Sequence, residues 1–171
     1  VATTSVGGAW WIAAQLFVEK TGLKYNLIPQ EGSGGFVVLQ VAGGHTDLGI
    51  MGVAESKAQI EAGNVRPLAV LGPQRFSGTF GQIPTMREVG YDINVRTIGG
   101  VIGPPKMPKD VVDKLVKTFE IVGKDPEYLK FIISNHDFPA YWGPDQFIKF
   151  CDEERQIYRR IFERAGQLKE K

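Results

Sequence analysis

Up to about residue 70 the chain alternates short apolar runs with segments of helical period. Residues 1–4 form a strand stub. Over 9–20 the apolar positions Trp10, Ile12, Ala13, Leu16 and Phe17 share one broad helical face, and Gly22 stops the helix. Residues 24–29 alternate and predict a strand, 31–35 a turn, and 36–42 a short helix ended by Gly43 and Gly44. A strand over 47–51, a helix over 55–62 with Gly63 just past it, and a buried strand over 66–71 complete this part. The register then changes. Residues 72–84 are rich in glycine and proline and read as loop, 85–89 hold at most one helical turn, 93–102 read as extended, and 103–108 form a rigid non-helical connector. An amphipathic helix carries Val111, Val112, Leu115, Val116 and Phe119. Asp125-Pro126 starts another helix, with Asp as cap and Pro in the first turn. A last helix begins near Pro144, its buried stripe marked by Phe147, Phe150, Cys151, Ile157, Ile161 and Ala165.

Strands and helices joined by short turns predict an α/β fold with a largely parallel sheet. Such sheets bind ligands at the carboxyl ends of their strands, against helix N-termini. Two turns have that placement: Thr4-Ser5-Val6-Gly7-Gly8 before the first helix and Glu31-Gly32-Ser33-Gly34-Gly35 before the second. Each offers small residues, hydroxyls and backbone N–H groups, which suit a carboxylate without requiring a lysine or arginine. Thr4 and Ser5 also have a plain structural role open to them, as caps of the helix that follows.

Composition narrows the choice by exclusion. The 171 residues are 43% hydrophobic and 23% charged, an ordinary globular balance, and a net charge of +1 with no polybasic face argues against nucleic acid and anionic membrane surfaces as partners. A single cysteine, Cys151, precludes an intrachain disulfide, and its place on the apolar stripe predicts a buried, inert thiol. Residues 1–18 carry no charge, but their polar residues and glycines do not suit a membrane span, and a signal peptide would open on a charged segment. The start at Val1 reads as the middle of a longer chain.

Other constellations are weaker. His45 and His136 are too few and too scattered for a metal site, and no phosphate-binding glycine motif opens a helix. Arg75 and Arg96 could each meet a carboxylate through a bidentate guanidinium, with a surface role as the alternative. Asp47 reads as a structural cap or ion-pair partner, and Glu88, Asp92 and the Asp152-Glu153-Glu154 run as solvated charges. One indole of Trp10-Trp11 enters the core; Trp11 is left to a core or interface position or a pocket wall. Gly32-Ser33-Gly34-Gly35 is similar to the serine motif of chymotrypsin-like proteases, but both histidines lie downstream of Ser33, and Glu31 replaces the first glycine of a nucleophile elbow.

An ordered set of segments resembles the Bug/TctC-type extracytoplasmic solute receptors of tripartite tricarboxylate transporters. It begins with Ile28-Pro29-Gln30-Glu31-Gly32-Ser33, continues through Gly43-Gly44-His45-Thr46-Asp47-Leu48, and reaches Ile60-Glu61-Ala62-Gly63-Asn64-Val65-Arg66-Pro67-Leu68-Ala69-Val70. Gln74-Arg75, the stretch from Ile83 to Tyr91, the stretch from Pro104 to Leu115, Asp125-Pro126-Glu127 and Gly143-Pro144-Asp145-Gln146-Phe147 follow in the family's order. The resemblance implies a two-lobe Venus-flytrap fold of the periplasmic-binding-protein type II, without its N-terminal part. It implies residues 1–72 in the second lobe, 73–96 as crossover and hinge region, and 97–171 in the first lobe, with the hinge around 71–73 and 94–99. A small carboxylate would be held at Thr4, Ser5, Val6, Gly7, Gly32, Ser33, Gly34, Met51, Gly52 and Ile98. No cofactor, metal or catalytic residue is implied. The expected partners are the ligand and the membrane transporter subunits, the compartment is the periplasm, and the chain is expected to dimerise or to pair with a missing N-terminal part. Three departures touch the pocket edge: Met51-Gly52 where the family has an Asp-Asn-like strand end, Ile98-Gly99-Gly100 where it has an aromatic, and Gln30-Glu31-Gly32 where it has Tyr-Lys-Gly. The resemblance therefore implies no particular acid. Two other classes stand beside this reading: a serine-dependent hydrolase using Ser33 and His136, and the ligand-sensing domain of a transcription regulator.

Overall fold

The computed structural model describes residues 1–168; residues 169–171, the end of the predicted segment 97–171, lie outside them. The chain divides into two units, one formed by Val1–Thr97 with the chain from Ile161 onward, the other by Ile98–Arg160. The predicted crossover 73–96 belongs to the first unit.

That first unit is built on β1 (Ala2–Thr4), α1 (Ala9–Thr21), β2 (Ile28–Gln30), α2 (Gly34–Ala42) and α3 (Val53–Glu61). β1 pairs in parallel with β2, Ala2 opposite Ile28 and Thr4 opposite Gln30. On its other side Ala2 makes a parallel bridge to Gly49, with Ala2 N–H donating to the Leu48 carbonyl at 2.8 Å and Ile50 N–H to the Ala2 carbonyl at 3.0 Å. β1 is therefore the central member of a small parallel sheet. Its parallel neighbours require helical crossovers, and α1 and α2 both pack on it.

Three expected strands are shorter than predicted. β2 spans only Ile28–Gln30; Tyr25 and Leu27 before it pack against the core. The 47–51 strand is reduced to the bridge at Gly49. The 66–71 segment is not a buried strand: it makes one bridge, Val70 to Thr85, and Leu68 is 55% exposed. Pro67 and Pro84 each lack the donor that a longer ladder there would need.

α1 is buried on more than the predicted face. Trp11, Ile12, Ala13 and Ala14 are all buried, so four consecutive residues are covered. Ala13 and Ala14 join Val1 and Ile50 in the core, with Trp10, Phe17, Tyr25, Leu27 and Leu48 packed around them. Trp11 is the fully buried indole. Its ring lies 5.5 Å from that of Phe162, near the end of the last helix, α6 (Pro144–Arg164). Arg164 reinforces this contact by donating to the Gln15 carbonyl at 2.9 Å and pairing with Glu19. Gly22, at φ 66°, ends α1 in the left-handed conformation expected of it. α2 sits directly on the 48–50 segment: a Cβ at Gly49 would lie 2.9 Å from Val41 and 3.1 Å from Val37, so glycine there sets the close approach. A smaller core gathers Val70, Phe80 and Ile83 beneath Val53, Ile60 and Phe76.

In the second unit, α4 (Lys109–Lys124) and α5 (Pro126–Ser134) meet at Asp125. Its Oδ1 accepts from the N–H groups of Glu127 and Tyr128, both at 2.9 Å, as the Asp-Pro pair predicts. The chain leaves α5 through Asn135 and then His136, which takes φ 61°. Tyr141 packs against Gly123 and donates to the Val116 carbonyl at 3.4 Å. No residue between 98 and 160 is buried. The predicted apolar stripe of α4 is present, yet Val111, Val112, Leu115 and Phe119 remain 37–40% exposed. Cys151, expected to be buried, is partly exposed for the same reason: no second layer covers the stripes within this unit.

Glu88 and Asp92 are paired, not merely solvated. Asp92 accepts from Arg87 Nε at 3.0 Å. Both oxygens of Glu88 lie 2.9 Å from Arg75 Nε, and Oε2 also accepts from Thr85 N–H at 2.7 Å and Thr85 Oγ1 at 3.0 Å. Arg75, a candidate for gripping a ligand, is thus committed to an internal carboxylate. The Arg75 hydrogen bond, followed by that from the Thr85 backbone, lowers the Glu88 pKa from 4.5 to about 2. A folded-state pKa below the unfolded value contributes stability that is complete above about pH 4.5 and is lost as pH falls toward 2. Urea unfolding as a function of pH should show this loss in the native chain, and Glu88→Gln should flatten that part of the profile. A second prediction concerns Thr3, which is fully buried and whose hydroxyl meets no hydrogen-bond partner among the described residues. Thr3→Val keeps the shape and removes the buried polar group, and should raise the unfolding free energy by about 1 kcal/mol in the same assay.

Candidate functional site

Because β1 is flanked by parallel neighbours, three chain segments end at one edge of the sheet. Each leads into a helix: β1 through residues 5–8 into α1, β2 through 31–33 into α2, and the 48–50 segment through Met51 and Gly52 into α3. The helix starts are neighbours. A Cβ at Gly52, just before α3, would lie 3.2 Å from Cζ2 of Trp10 in the first turn of α1. Glu55 of α3 reaches the first residue of α2, where Gly34 N–H donates to its Oε1 at 2.8 Å.

This edge brings together Thr4, Ser5, Val6, Gly7, Gly32, Ser33, Gly34, Met51 and Gly52. Thr4 is buried at the end of β1, while Ser5, Val6 and Gly7 are exposed in the turn. Gly7 takes φ 84°, and a Cβ there would lie 3.3 Å from the Phe162 ring, so the end of α6 backs the turn. Gly32 takes φ 111° in the second turn. Ile98 belongs to the second unit. Ser33 and His136, the pair of the hydrolase reading, likewise belong to different units.

The caps differ from expectation. Neither Thr4 nor Ser5 caps α1; its N-cap is Gly8, and no side chain accepts from its first turn. The chain runs on through a tight turn in which Gly8 N–H donates to the Ser5 carbonyl at 3.0 Å, placing Thr4 and Ser5 too early to cap. Ile12 N–H makes the first bond back into the helix, to Gly8, so Ala9, Trp10 and Trp11 present N–H groups that the helix itself does not satisfy. No acidic residue lies in that first turn. Ser33 is the N-cap of α2, but its hydroxyl makes no capping bond; Glu55 serves Gly34 instead. The start of α1 therefore presents the positive end of its dipole and backbone donors with no acid of its own helix to compensate them, a setting that favours an anion.

Glu55 and Trp10 are the contributors that composition and turn chemistry did not single out. For Glu55 a signal existed: Gly52-x-x-Glu55 has the spacing at which a third-position glutamate reaches back to the N-cap, and Gly52 N–H does donate to Oε2 at 3.0 Å. Its second bond, to another helix, has no signature in sequence spacing. Among the described residues no group of three His, Cys, Asp or Glu could hold a metal ion, and no helix is long and apolar enough to cross a membrane.

Protein BugT of Bordetella pertussis is 37% identical over 167 residues, covering 96% of this chain and 50% of BugT. The solved structure of R. palustris Rpa4515 with adipate superimposes with a TM-score of 0.82 at 23% identity, over 96% of this chain and 55% of that one. A TctC solute binding protein from Polaromonas, solved with no ligand, gives a TM-score of 0.75 at 25% identity, over 95% of this chain and 56% of the other. The chain thus spans about half the length of the relatives it matches. The model of the tripartite tricarboxylate transporter family receptor, TctC, matches residues 2–167, and the chain accordingly belongs to the TctC receptor family.

Proposed function

We propose that the chain contributes the carboxylate-binding edge of a periplasmic receptor that captures a small organic acid and delivers it to a tripartite tricarboxylate membrane transporter. The observation that carries this reading is the uncapped, acid-free start of α1 at the carboxyl end of the central parallel strand, beside two further helix starts. Family membership supports it. Residues 4–7 supply the turn and the α1 donors for a carboxylate. Gly32, Ser33, Gly34, Met51 and Gly52 line the same edge, and Ile98 is assigned to the site by resemblance. The reading includes the family's two-lobe architecture, with 1–72 in one lobe, 97–171 in the other, and 73–96 as the crossover through which the receptor closes on its ligand. Ligand capture requires no covalent step, and these residues act by shape and hydrogen bonding alone.

Adipate is named with the R. palustris structure, so linear dicarboxylates head the panel to test, followed by tricarboxylates, amino acids and aromatic acids. A ligand that binds only the folded state raises the melting temperature by an amount that grows with the logarithm of its concentration over Kd. At least one small carboxylate should do so on a family-length protein, and a flat response across the panel overturns the proposal. A sharper test removes a single donor. Gly8 has φ −70° and ψ 161°, an extended conformation compatible with a following proline, and Ala9 is the first helical position, where proline is tolerated. Ala9→Pro deletes one N–H while keeping the helix. Calorimetry should show carboxylate affinity weakened about tenfold, as expected for a lost bond to a charged group, with the melting temperature of the unliganded protein nearly unchanged.

A further inference from the structure

Two glycines at the carboxyl edge leave room for a side chain that reaches over them. Gly52 has φ −70°, and Gly34 lies in the first turn of α2; any residue adopts these conformations. A side chain at either would strike the carboxylate of Glu55. At Gly52 a Cβ would meet Oε2 at 2.9 Å, and at Gly34 the same carboxylate would be closer still. Both positions are cut back to the backbone where a carboxylate comes down on it. The result is a two-point cradle: Gly34 N–H donates to Oε1 at 2.8 Å and Gly52 N–H donates to Oε2 at 3.0 Å. The two donors come from different helices, separated by 18 residues of sequence, and one side chain spans them. Asp125 provides the contrast within this chain, since both bonds that it accepts come from the helix it precedes and go to one oxygen.

The cradle is next to the α1 turn, because Gly52 also abuts Trp10. A carboxylate approaching this edge therefore meets two sets of backbone donors of unequal status. Those of α1 have no side-chain acceptor. Those at Gly34 and Gly52 are already engaged by an acceptor of the ligand's own chemistry.

We propose that Glu55 determines which part of the edge a ligand can use: its carboxylate is the resident occupant of the Gly34–Gly52 cradle, and by filling it leaves the α1 turn as the anion-accepting position. The inference rests on the reading of this edge as a carboxylate site and refines it. Glu55 excludes a ligand carboxylate from the cradle both by occupying the two donors and by like-charge repulsion. It simultaneously ties the start of α2 to the start of α3, so removing it both loosens the edge and opens a second anion position.

Formate is a suitable probe because it is a carboxylate with no side chain to be recognised. Amide resonances are followed by proton–nitrogen NMR as formate is added to the native chain, to Glu55→Ala and to Glu55→Gln, with chloride at equal ionic strength as control. In Glu55→Ala the Gly34 and Gly52 amides should titrate with formate and not with chloride. The same variant should melt about 3–8 °C lower than the native chain, and formate should restore part of that loss. In the native chain, where both oxygens of Glu55 fill the cradle, the two amides should not move; in Glu55→Gln, whose side-chain amide has one acceptor oxygen, only one N–H group is freed and the response should be smaller than in Glu55→Ala. A response of Gly34 and Gly52 to formate in the native chain, or none in Glu55→Ala, overturns the assignment. The broader reading fails separately: the amides of residues 5–11 in a native family-length protein would then ignore every carboxylate of the panel, whatever Glu55 does.

Discussion

The first unit is organised around a strand of three residues hydrogen-bonded in parallel on both sides. β1 is almost wholly enclosed, with Ala2 and Thr3 at 0% exposure and Thr4 at 9%. A strand in that position has no edge left to solvate and both faces to cover. Parallel neighbours cannot be reached by a tight turn, so each connection must cross over the sheet, and the crossovers are α1 and α2. One consequence is mechanical: the helices bury the strand. The other is electrostatic, because every crossover begins at the same edge and brings the positive ends of the helix dipoles there together.

What is done with those helix ends differs from one to the next, and the difference gives the edge its chemical character. α3 carries its own acid, Glu55, in its first turn, and that acid also serves α2. α1 has neither acid nor side-chain cap. The turn before α1 is backed by Phe162, whose ring packs at a tilt against Trp11. The last turn of α6 thereby supports the uncapped helix start, although the two are far apart in sequence.

The second unit presents the opposite balance. Its helices are locally well specified: Asp125 caps α5 and ends α4 in one residue, and i,i+4 pairs such as Lys109–Asp113 and Glu120–Lys124 lie along α4. Yet none of its residues is buried, and the apolar stripes of α4 and α5 remain on view, with Phe131 at 62% exposure. Helix order here comes from caps and periodicity, since there is no enclosed core within the unit to supply it.

Local signals in the sequence were enough to determine the helices. The 3.6-residue spacing, Gly22 and Gly63 past helix ends, and the Asp125-Pro126 start all depend on residues within a turn or two of each other, which is why they could be read directly. The ordered segments from Ile28 to Phe147 were likewise sufficient to identify the family, because order along a chain survives without knowledge of its folding. Strand extent was not legible: alternation over 24–29 and the apolar run over 66–71 suggest ladders, but a strand needs a partner, and partners are chosen in three dimensions. Nor could the sequence decide between Trp10 and Trp11, since burial of Trp11 depends on Phe162 arriving from the other end of the chain. The candidate edge divides in the same way. Its turns were visible as small-residue clusters before helices, whereas the choice of which helix start stays open was made by one glutamate reaching across from a neighbouring helix, a contact that only the tertiary structure brings about.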